Sequence, residues 1–267
     1  MPGRVLIIAG SDSGGGAGIQ ADIKTVTALG GYAATAISAL TAQDTRGVAA
    51  IFEVPADFVA LQMRLVLEDI GADCIKIGML HRADIIAAVC AVIREKARGV
   101  PVVVDPVMVA KGGDALVTSD GAAAIKAELI PLASVLTPNL PEAVALAGGE
   151  ADRPADLARR LLALGPEAVL VKGGHGEGPT LVDLLACRDG TEKRFESERI
   201  ETVHTHGTGC TLASAIATGL AQGLAVTAAV ERARAYVREA IRTAPGYGHG
   251  HGPLNHGHTV RPFPGGS

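Results

Sequence analysis

Apolar and polar positions divide the chain into short buried strands that alternate with longer helical segments. A continuous apolar run at 5–9 is followed by short β-rich segments at 74–77, 100–104, 134–136 and 168–171. Runs of this kind are typical of parallel strands that are covered on both faces. Ala- and Leu-rich helical patterns lie between them, at about 17–29, 55–70, 83–97, 119–129, 140–147 and 153–164. The alternation predicts an α/β fold with a mostly parallel central sheet and helices on both faces.

Two segments break this alternation. Residues 32–41 and 48–54 look like two strands joined by a turn, and Asp189-Gly190 is typical of a hairpin turn within 181–195. We therefore expect the sheet to be mixed at an edge. Two successive helices, 209–222 and 226–243, follow near the end of the chain. Because no repeat or long linker is present, we expect one domain over residues 1–256 and a flexible tail over 257–267.

Composition removes several classes of function. The 267 residues carry a formal net charge of −4, no Trp and only 3 % aromatic residues. This leaves neither a basic field for phosphate backbones nor stacking platforms for bases, so we expect no nucleic-acid partner. The apolar runs are too short to span a bilayer, and the four cysteines form no CxxC pair. We expect a soluble, cytoplasmic protein with reduced thiols and no membrane partner.

Glycine is concentrated in loops that adjoin the predicted strands and helices. Fifteen of the 34 glycines fall in four short segments, at 10–18, 173–178, 207–209 and 246–252. Glycine is used where backbone approaches a ligand closely or takes positive φ. The first segment matches neither a Walker A loop nor a GxGxxG dinucleotide loop. It is therefore either a ligand loop of another kind or a tight turn between a strand and a helix.

The segment Gly207-Thr208-Gly209-Cys210 runs directly into a predicted helix. The free N–H groups and positive dipole end of such a helix favour an anion there. Cys210 lies in the first turn, where the dipole is expected to lower the pKa of its thiol and supply a thiolate. The alternative is that Gly-Thr-Gly only caps the helix and Cys210 is a small buried residue.

Polar residues follow three of the predicted strands. Asn139 and Glu142 stand at a helix start, Asp105 follows a run of valines, and Lys172 ends another strand. Each has a structural interpretation, as a helix N-terminal charge or a solvated strand end. The functional alternative is that the carboxylates organise a hydrated Mg²⁺ and the lysine pairs with a polyphosphate.

Several motifs together resemble one enzyme family. They are GSDSGGGAGIQAD over 10–22, ALTAQDT over 39–45, VDPVM over 104–108, VKGGH over 171–175, GTGC over 207–210 and GHGHGP over 248–253. In combination they resemble the hydroxymethylpyrimidine kinase/phosphomethylpyrimidine kinase of thiamine biosynthesis, over about residues 4–256. The resemblance implies a ribokinase-like fold and two successive transfers of phosphoryl groups from ATP, with Mg²⁺. It also implies a small-molecule substrate and allows a homodimer.

The resemblance further implies roles for particular residues. The base would be Cys210, and the amides of Gly207, Thr208, Gly209 and Cys210 would hold charge on the phosphoryl group. The pyrimidine pocket would contain Gln43, Asp22, Gly10, Ala17, Met79 and Val107. ATP would meet Lys172, Asp105, Asn139 and Thr208, and the metal would meet Glu142 and Asp105. His206, directly before the GTGC segment, departs from the family's pattern.

Two rival interpretations remain at the level of sequence. A pyridoxal kinase is the nearest, because some relatives with Gly-Thr-Gly-Cys accept pyridoxal, which also bears a hydroxymethyl group. A non-catalytic binding protein with the same fold is the other. The presence of Cys210, Lys172 and Glu142 together speaks against the second, because a pure binder has no need of them.

Overall fold

The computed structural model describes residues 2–109, 113, 116–148, 153–174 and 178–261. In these ranges the strands form a nine-stranded sheet in the order β3-β2-β1-β4-β5-β6-β7-β8-β9. The strands are β1 Arg4–Asp12, β2 Tyr32–Gln43, β3 Val48–Glu53, β4 Cys74–Ile77, β5 Val102–Val104, β6 Val135–Leu136, β7 Ala168–Val171, β8 Thr180–Cys187 and β9 Glu192–Glu198. The six strands from β2 to β7 in this order are parallel, and antiparallel strands complete both edges. The predicted hairpin at Asp189-Gly190 is confirmed as the turn between β8 and β9.

Eight α-helices connect or flank these strands in the described part of the chain. They are α1 Gly18–Ala28, α2 Ala56–Asp69, α3 Ala83–Lys96, α4 Ser119–Ala124, α5 Leu140–Ala147, α6 Pro154–Leu162, α7 Thr208–Ala221 and α8 Val226–Arg242. The single helix predicted over 119–129 is wrong in detail. After α4 the chain continues as a π-helical turn over Ile125–Leu129 and a 3₁₀ turn over Ile130–Leu132. Pro131 in that turn lacks the N–H that an α-helix would need.

Alternate residues of β1 show how the sheet divides the core. Leu6 and Ile8 pack in one hydrophobic cluster with residues of α2 to α6, whereas Val5 and Ile7 pack in another with α1, α7 and α8. Successive side chains of a strand point to opposite faces, so a continuous apolar run serves both clusters. The predicted α/β arrangement with helices on both faces is confirmed.

The first strand is longer than the apolar run suggested. It continues through Gly10 and Ser11 to Asp12, with a register shift against β2 between Ala9 and Ser11. Pairing with the long β2 holds these polar residues in the sheet, although their sequence is typical of a loop. The glycine-rich connection to α1 is therefore only residues 13–17, and Asp12 stands at its beginning.

Residues near the C-terminus pack against the helices. His258 Nε2 lies 3.1 Å from the carbonyl oxygen of Tyr236, and Thr259 Oγ1 donates to the carbonyl of Ala28 at 2.8 Å. The division into a domain over 1–256 and a flexible tail over 257–267 stays a prediction, and residues 262–267 lie outside the described ranges. Within those ranges, no helix combines the length and the apolar character needed to cross a membrane.

Candidate active site

Three polar side chains meet at the carboxyl ends of β5, β6 and β7. Asp105 Oδ1 accepts hydrogen bonds from Lys172 Nζ at 2.9 Å and from Thr137 Oγ1 at 3.2 Å. Neighbouring parallel strands end at the same edge of a sheet, which brings residues far apart in sequence together. Although burial opposes the charge of Lys172, the carboxylates of Asp105 and Glu142 hold its pKa above the ordinary value. This edge therefore carries a buried, positively charged lysine between two acidic residues.

Glu142 belongs to this cluster and also caps a helix. Its Oε2 accepts from the backbone N–H of Asn139 at 2.8 Å, while Asn139 Oδ1 accepts from the N–H of Glu142 at 2.9 Å. This reciprocal pair is a capping box that begins α5. The same Oε2 lies 4.0 Å from Lys172 Nζ. Burial raises the pKa of Glu142 to about 6, against the opposite effect of Lys172. The structural interpretation of Glu142 as a helix-capping residue is therefore confirmed, whereas its role at a metal stays a prediction.

The second feature is the start of α7. Gly207 has a φ of 81° and lies against Gly16, so that a Cβ on Gly207 would overlap the carbonyl oxygen of Gly16. A Cβ on Gly209 would lie 3.1 Å from Asp105 Oδ2 and 3.3 Å from Lys172 Nζ. Gly207 requires glycine for its positive φ and its close backbone approach, whereas at Gly209 a side chain would only press on the ends of Asp105 and Lys172. The Thr208 hydroxyl donates to the carbonyl of Thr205 at 2.7 Å, which fixes the turn before the helix.

Cys210 lies where two helices begin. It stands in the first turn of α7, and its sulfur accepts a hydrogen bond from the backbone N–H of Gly18, the first residue of α1. The expectation of a lowered thiol pKa is wrong for this arrangement. Burial raises the pKa of the Cys210 thiol to about 12 and outweighs the helix amides. At neutral pH this pKa favours the thiol over the thiolate.

Asp12 organises the first glycine-rich loop. Its carboxylate accepts from the backbone N–H groups of Gly14, Gly16 and Ala17, at 2.8, 3.0 and 2.8 Å. It also lies 2.9 Å from His206 Nε2. Burial opposes the charge of Asp12, but His206 and these amides hold its pKa below the ordinary value. Sequence reasoning did not single out Asp12, although an aspartate two residues before a run of glycines is a recognisable turn signal.

The residues predicted to hold a ring lie beside these loops. A Cβ on Gly10 would lie 3.3 Å from the sulfur of Met79. Met79 and Val107 belong to one small hydrophobic cluster with Leu116. On the other side, Gln43 Nε2 lies 3.4 Å from His206 Nε2. The structure thus brings Gly10, Met79 and Val107 together, and it places Gln43 beside His206, directly before the Gly-Thr-Gly-Cys segment.

Asp22 takes a different position from the other predicted pocket residues. It is fully buried, and its two carboxylate oxygens are bound by Lys76 Nζ and Ser214 Oγ, each at 2.7 Å. Its predicted contact with a substrate stays a prediction. Lys76 was not singled out from the sequence, although one lysine inside the apolar run Cys-Ile-Lys-Ile is a signal of a paired internal charge.

The turn after Gln43 contacts the C-terminal glycine-rich segment. Thr45 Oγ1 accepts from the N–H groups of His249 and Gly250, at 3.2 and 3.1 Å, and the N–H of His251 donates to the carbonyl of Thr45 at 2.7 Å. This contact brings the segment with the GHGHGP motif next to the strand end that carries Gln43. His175 of the VKGGH motif lies outside the described ranges.

Comparison with known proteins decides the family. A family model described as phosphomethylpyrimidine kinase matches residues 12–255, which is most of the chain. This chain belongs to the phosphomethylpyrimidine kinase family. The resemblance noted from its motifs, and the kinase assignment for hydroxymethylpyrimidine and its phosphate in thiamine biosynthesis, are confirmed at this level.

Individual relatives agree with the family assignment. The chain is 50 % identical over 265 residues to the hydroxymethylpyrimidine/phosphomethylpyrimidine kinase of Rhizobium meliloti, covering 97 % of this chain and 98 % of that one. It is 52 % identical over 258 residues to the thiamine biosynthesis bifunctional protein ThiED of Geobacter sulfurreducens. That match covers 95 % of this chain but only 52 % of the longer relative, so the chain spans about half its length.

A solved pyridoxal kinase shares the fold. The structure from Staphylococcus aureus in complex with AMP-PCP and pyridoxal superposes with a TM-score of 0.88 at 32 % identity, covering 98 % of this chain and 96 % of that one. The predicted ribokinase-like α/β fold is confirmed. The ATP analogue in this complex also shows that a structural relative binds a nucleotide.

Proposed function

We propose that this member of the phosphomethylpyrimidine kinase family carries out two transfers at one site. The first moves the γ-phosphoryl group of ATP to the hydroxymethyl oxygen of 4-amino-5-hydroxymethyl-2-methylpyrimidine, and the second moves another to the resulting monophosphate. The observation that carries the proposal is the position of Gly209. A Cβ on Gly209 would lie 3.1 Å from Asp105 Oδ2 and 3.3 Å from Lys172 Nζ, and Cys210 is the next residue in the chain. The proposed base therefore lies close to the proposed phosphate-binding groups.

The ring of the substrate lies, in this proposal, against Gly10, Ala17, Met79 and Val107. The amide of Gln43 supplies a donor and an acceptor, which suits the edge of an aminopyrimidine. Only seven aromatic residues are present in the chain, so aliphatic and thioether contacts replace stacking.

ATP meets Lys172, Asp105, Asn139 and Thr208, with the N–H groups of Gly207 to Cys210 around the transferred group. The donor set also fits a hydrated Mg²⁺, because Asp105 and Glu142 are two carboxylates on either side of Lys172. Among the residues that the structure describes, no cluster of three or more His, Cys, Asp or Glu could hold a metal by itself. The ion would therefore be shared with phosphate oxygens, whose developing charge it would neutralise.

In the first phosphoryl transfer, Cys210 acts as the base. The hydroxymethyl oxygen forms a bond to the γ-phosphorus, and the bond from that phosphorus to the bridging oxygen breaks with its electron pair leaving on ADP. The proton of the hydroxyl passes to the thiolate of Cys210. Since the pKa of the thiol is about 12, the thiolate is the minor form and its neighbours must stabilise it. Backbone N–H groups and Lys172 hold the charge that develops on the phosphoryl group.

A parallel assay tests the proposal. Purified chain, ATP and Mg²⁺ are incubated with the hydroxymethylpyrimidine, with its monophosphate and with pyridoxal, and the products are separated by chromatography. We expect the diphosphate from both pyrimidine substrates and slower turnover of pyridoxal. Absence of the diphosphate would remove the second transfer, and faster turnover of pyridoxal would favour the pyridoxal kinase interpretation. The homodimer stays a prediction, which sedimentation of the same preparation measures.

A further inference from the structure

Lys76 is a fully buried lysine that the proposed chemistry does not use. It stands in the middle of β4 with none of its side chain exposed. An ammonium group so deep in a protein is costly unless it is paired and hydrogen-bonded. Its Nζ donates to Asp22 Oδ2 at 2.7 Å, and Asp22 is equally buried. A charged pair is therefore built into the core below the site.

The pair is joined to the helix that carries Cys210. The second oxygen of Asp22 accepts from Ser214 Oγ at 2.7 Å. Ser214 follows Cys210 by four residues in α7, so both side chains lie on the same face of that helix. The chain of contacts from Lys76 through Asp22 to Ser214 thus ends one turn below the thiol.

Four charged groups from four elements act on the Cys210 sulfur. Burial is the largest effect on its pKa and raises it; of the charges, Lys76 lowers it, whereas Asp22 and Asp105 raise it by smaller amounts. Lys172, from the end of β7, also interacts electrostatically with Cys210. Although burial opposes the charge of Lys76, the Asp22 carboxylate holds its pKa above the ordinary value. The internal ammonium is therefore a permanent positive charge that favours the thiolate.

We propose that Lys76 is a positioning residue for the first phosphoryl transfer, whose buried ammonium stabilises the thiolate of Cys210. Asp22 keeps this ammonium charged, and Ser214 fixes its distance from the helix. The inference rests on the proposed function for the meaning of the thiolate, but its physical content is the charge state of Cys210. It can therefore be measured without any substrate.

Alkylation of Cys210 by iodoacetamide, followed between pH 7 and pH 10 and quantified peptide by peptide with mass spectrometry, tests the proposal. For Lys76→Met we expect alkylation of Cys210 to slow at least tenfold. For Asp22→Asn, in which the ammonium loses the carboxylate that keeps it charged, we expect alkylation to slow as well, by at least threefold. A merely structural role would instead expose the buried Cys74 and Cys90 to alkylation in these variants.

The chain supplies its own controls. Cys187, the other partly exposed cysteine, reports accessibility at a distant site, and the buried Cys74 and Cys90 report unfolding. Lys126→Met removes an exposed lysine and should leave the Cys210 profile unchanged. If Lys76→Met does not fold, the double variant Lys76→Gln and Asp22→Asn keeps a neutral hydrogen bond. Alkylation of Cys210 should still be slower in this variant, because Lys76 has a larger effect on the pKa of the thiol than Asp22 has.

The outcomes separate the two proposals. An unchanged Cys210 profile in folded Lys76→Met, or faster alkylation in Asp22→Asn, would overturn the role of Lys76. Slower alkylation of Cys210 in both single variants, with Cys74 and Cys90 still protected, would support it even if the kinase assay gave no diphosphate. Conversely, diphosphate formation with an unchanged alkylation profile would leave the proposed function standing alone.

Discussion

His206 Nε2 lies 2.9 Å from Asp12 Oδ2, and this contact joins two glycine-rich loops that are almost 200 residues apart in the sequence. Asp12 gathers the amides of the first loop, and His206 directly precedes the Gly-Thr-Gly-Cys segment. Both side chains are nearly buried, with 4 % and 12 % exposed. The histidine that departs from the family's pattern therefore helps to hold the two loops of the candidate site together.

We predict that His206→Ala weakens binding of the pyrimidine more than binding of ATP. A hydrogen bond to a charged group is worth about 1.5–3 kcal/mol, so KM for the pyrimidine should rise about tenfold as Gln43 and the first loop lose their support. Steady-state kinetics with each substrate varied measures both constants. His249→Ala, which changes an exposed histidine, is the matched control. Equal increases in the two KM values would indicate general loosening instead.

The lowered pKa of Asp12 predicts a pH-dependent contribution to stability. A carboxyl group with a depressed pKa in the folded state stabilises that state above its unfolded pKa of about 4 and loses this effect as pH falls through the folded value. The wild-type chain should therefore exceed Asp12→Asn in free energy of unfolding at pH 7. Urea unfolding at a series of pH values should show the difference shrinking from about pH 4 downwards. A difference that stays constant to pH 3 would contradict the assignment.

Two glycines with similar backbones separate strain from function. Gly207 and Gly223 have φ values of 81° and 86°, but nothing lies within 4 Å of a Cβ on Gly223. The positive φ alone should cost alanine about 1 kcal/mol of stability at either position, and Gly207→Ala should cost more because its Cβ also overlaps Gly16. Only Gly207→Ala should also lower kcat, by about a hundredfold, because its Cβ overlaps Gly16 and displaces the anion-binding amides. Thermal unfolding and kinetics on both variants measure this; equal kcat values would argue against the anion site.

We expect Lys172 to contribute equally to the kcat of both transfers. Its ammonium is the cation nearest to the Gly209 backbone, so Lys172→Met should reduce kcat about a hundredfold with either pyrimidine substrate. Lys193→Met, on the exposed surface of β9, is the control for loss of a lysine. A change confined to the KM for the pyrimidine would show that Lys172 contacts the pyrimidine rather than the phosphate groups of ATP.

We expect Cys210 to contribute more to the rate of the first transfer than to the rate of the second. Only the alcohol of the first step must lose a proton, whereas the phosphate that accepts the second group is already anionic. General-base catalysis typically contributes 10²- to 10⁴-fold, so Cys210→Ala should slow the first transfer about a hundredfold and the second less than tenfold. Single-turnover rates for the two steps measure the ratio. Equal losses would show that the cysteine acts in some way other than as a base.

Much of the fold and part of the site followed from local patterns. The apolar runs predicted five of the six parallel strands, because a strand covered on both faces is mostly apolar. The boundaries were less predictable: β1 continues through Gly10 to Asp12 because pairing with β2 stabilises residues whose own preference is for a loop. The motifs likewise indicated Cys210, Lys172 and Glu142, whose residue types suit phosphoryl transfer.

The sequence by itself determined the α/β class, the glycine segments and the chemistry of the residues beside them, because these depend on periodicity and on neighbours along the chain. Only the tertiary structure decided which charged side chains lie next to one another. It paired Asp22 with Lys76, joined His206 to Asp12 and raised the pKa of Cys210 by burying it. Burial and distance between remote residues control pKa values, and neither is a property of a local sequence.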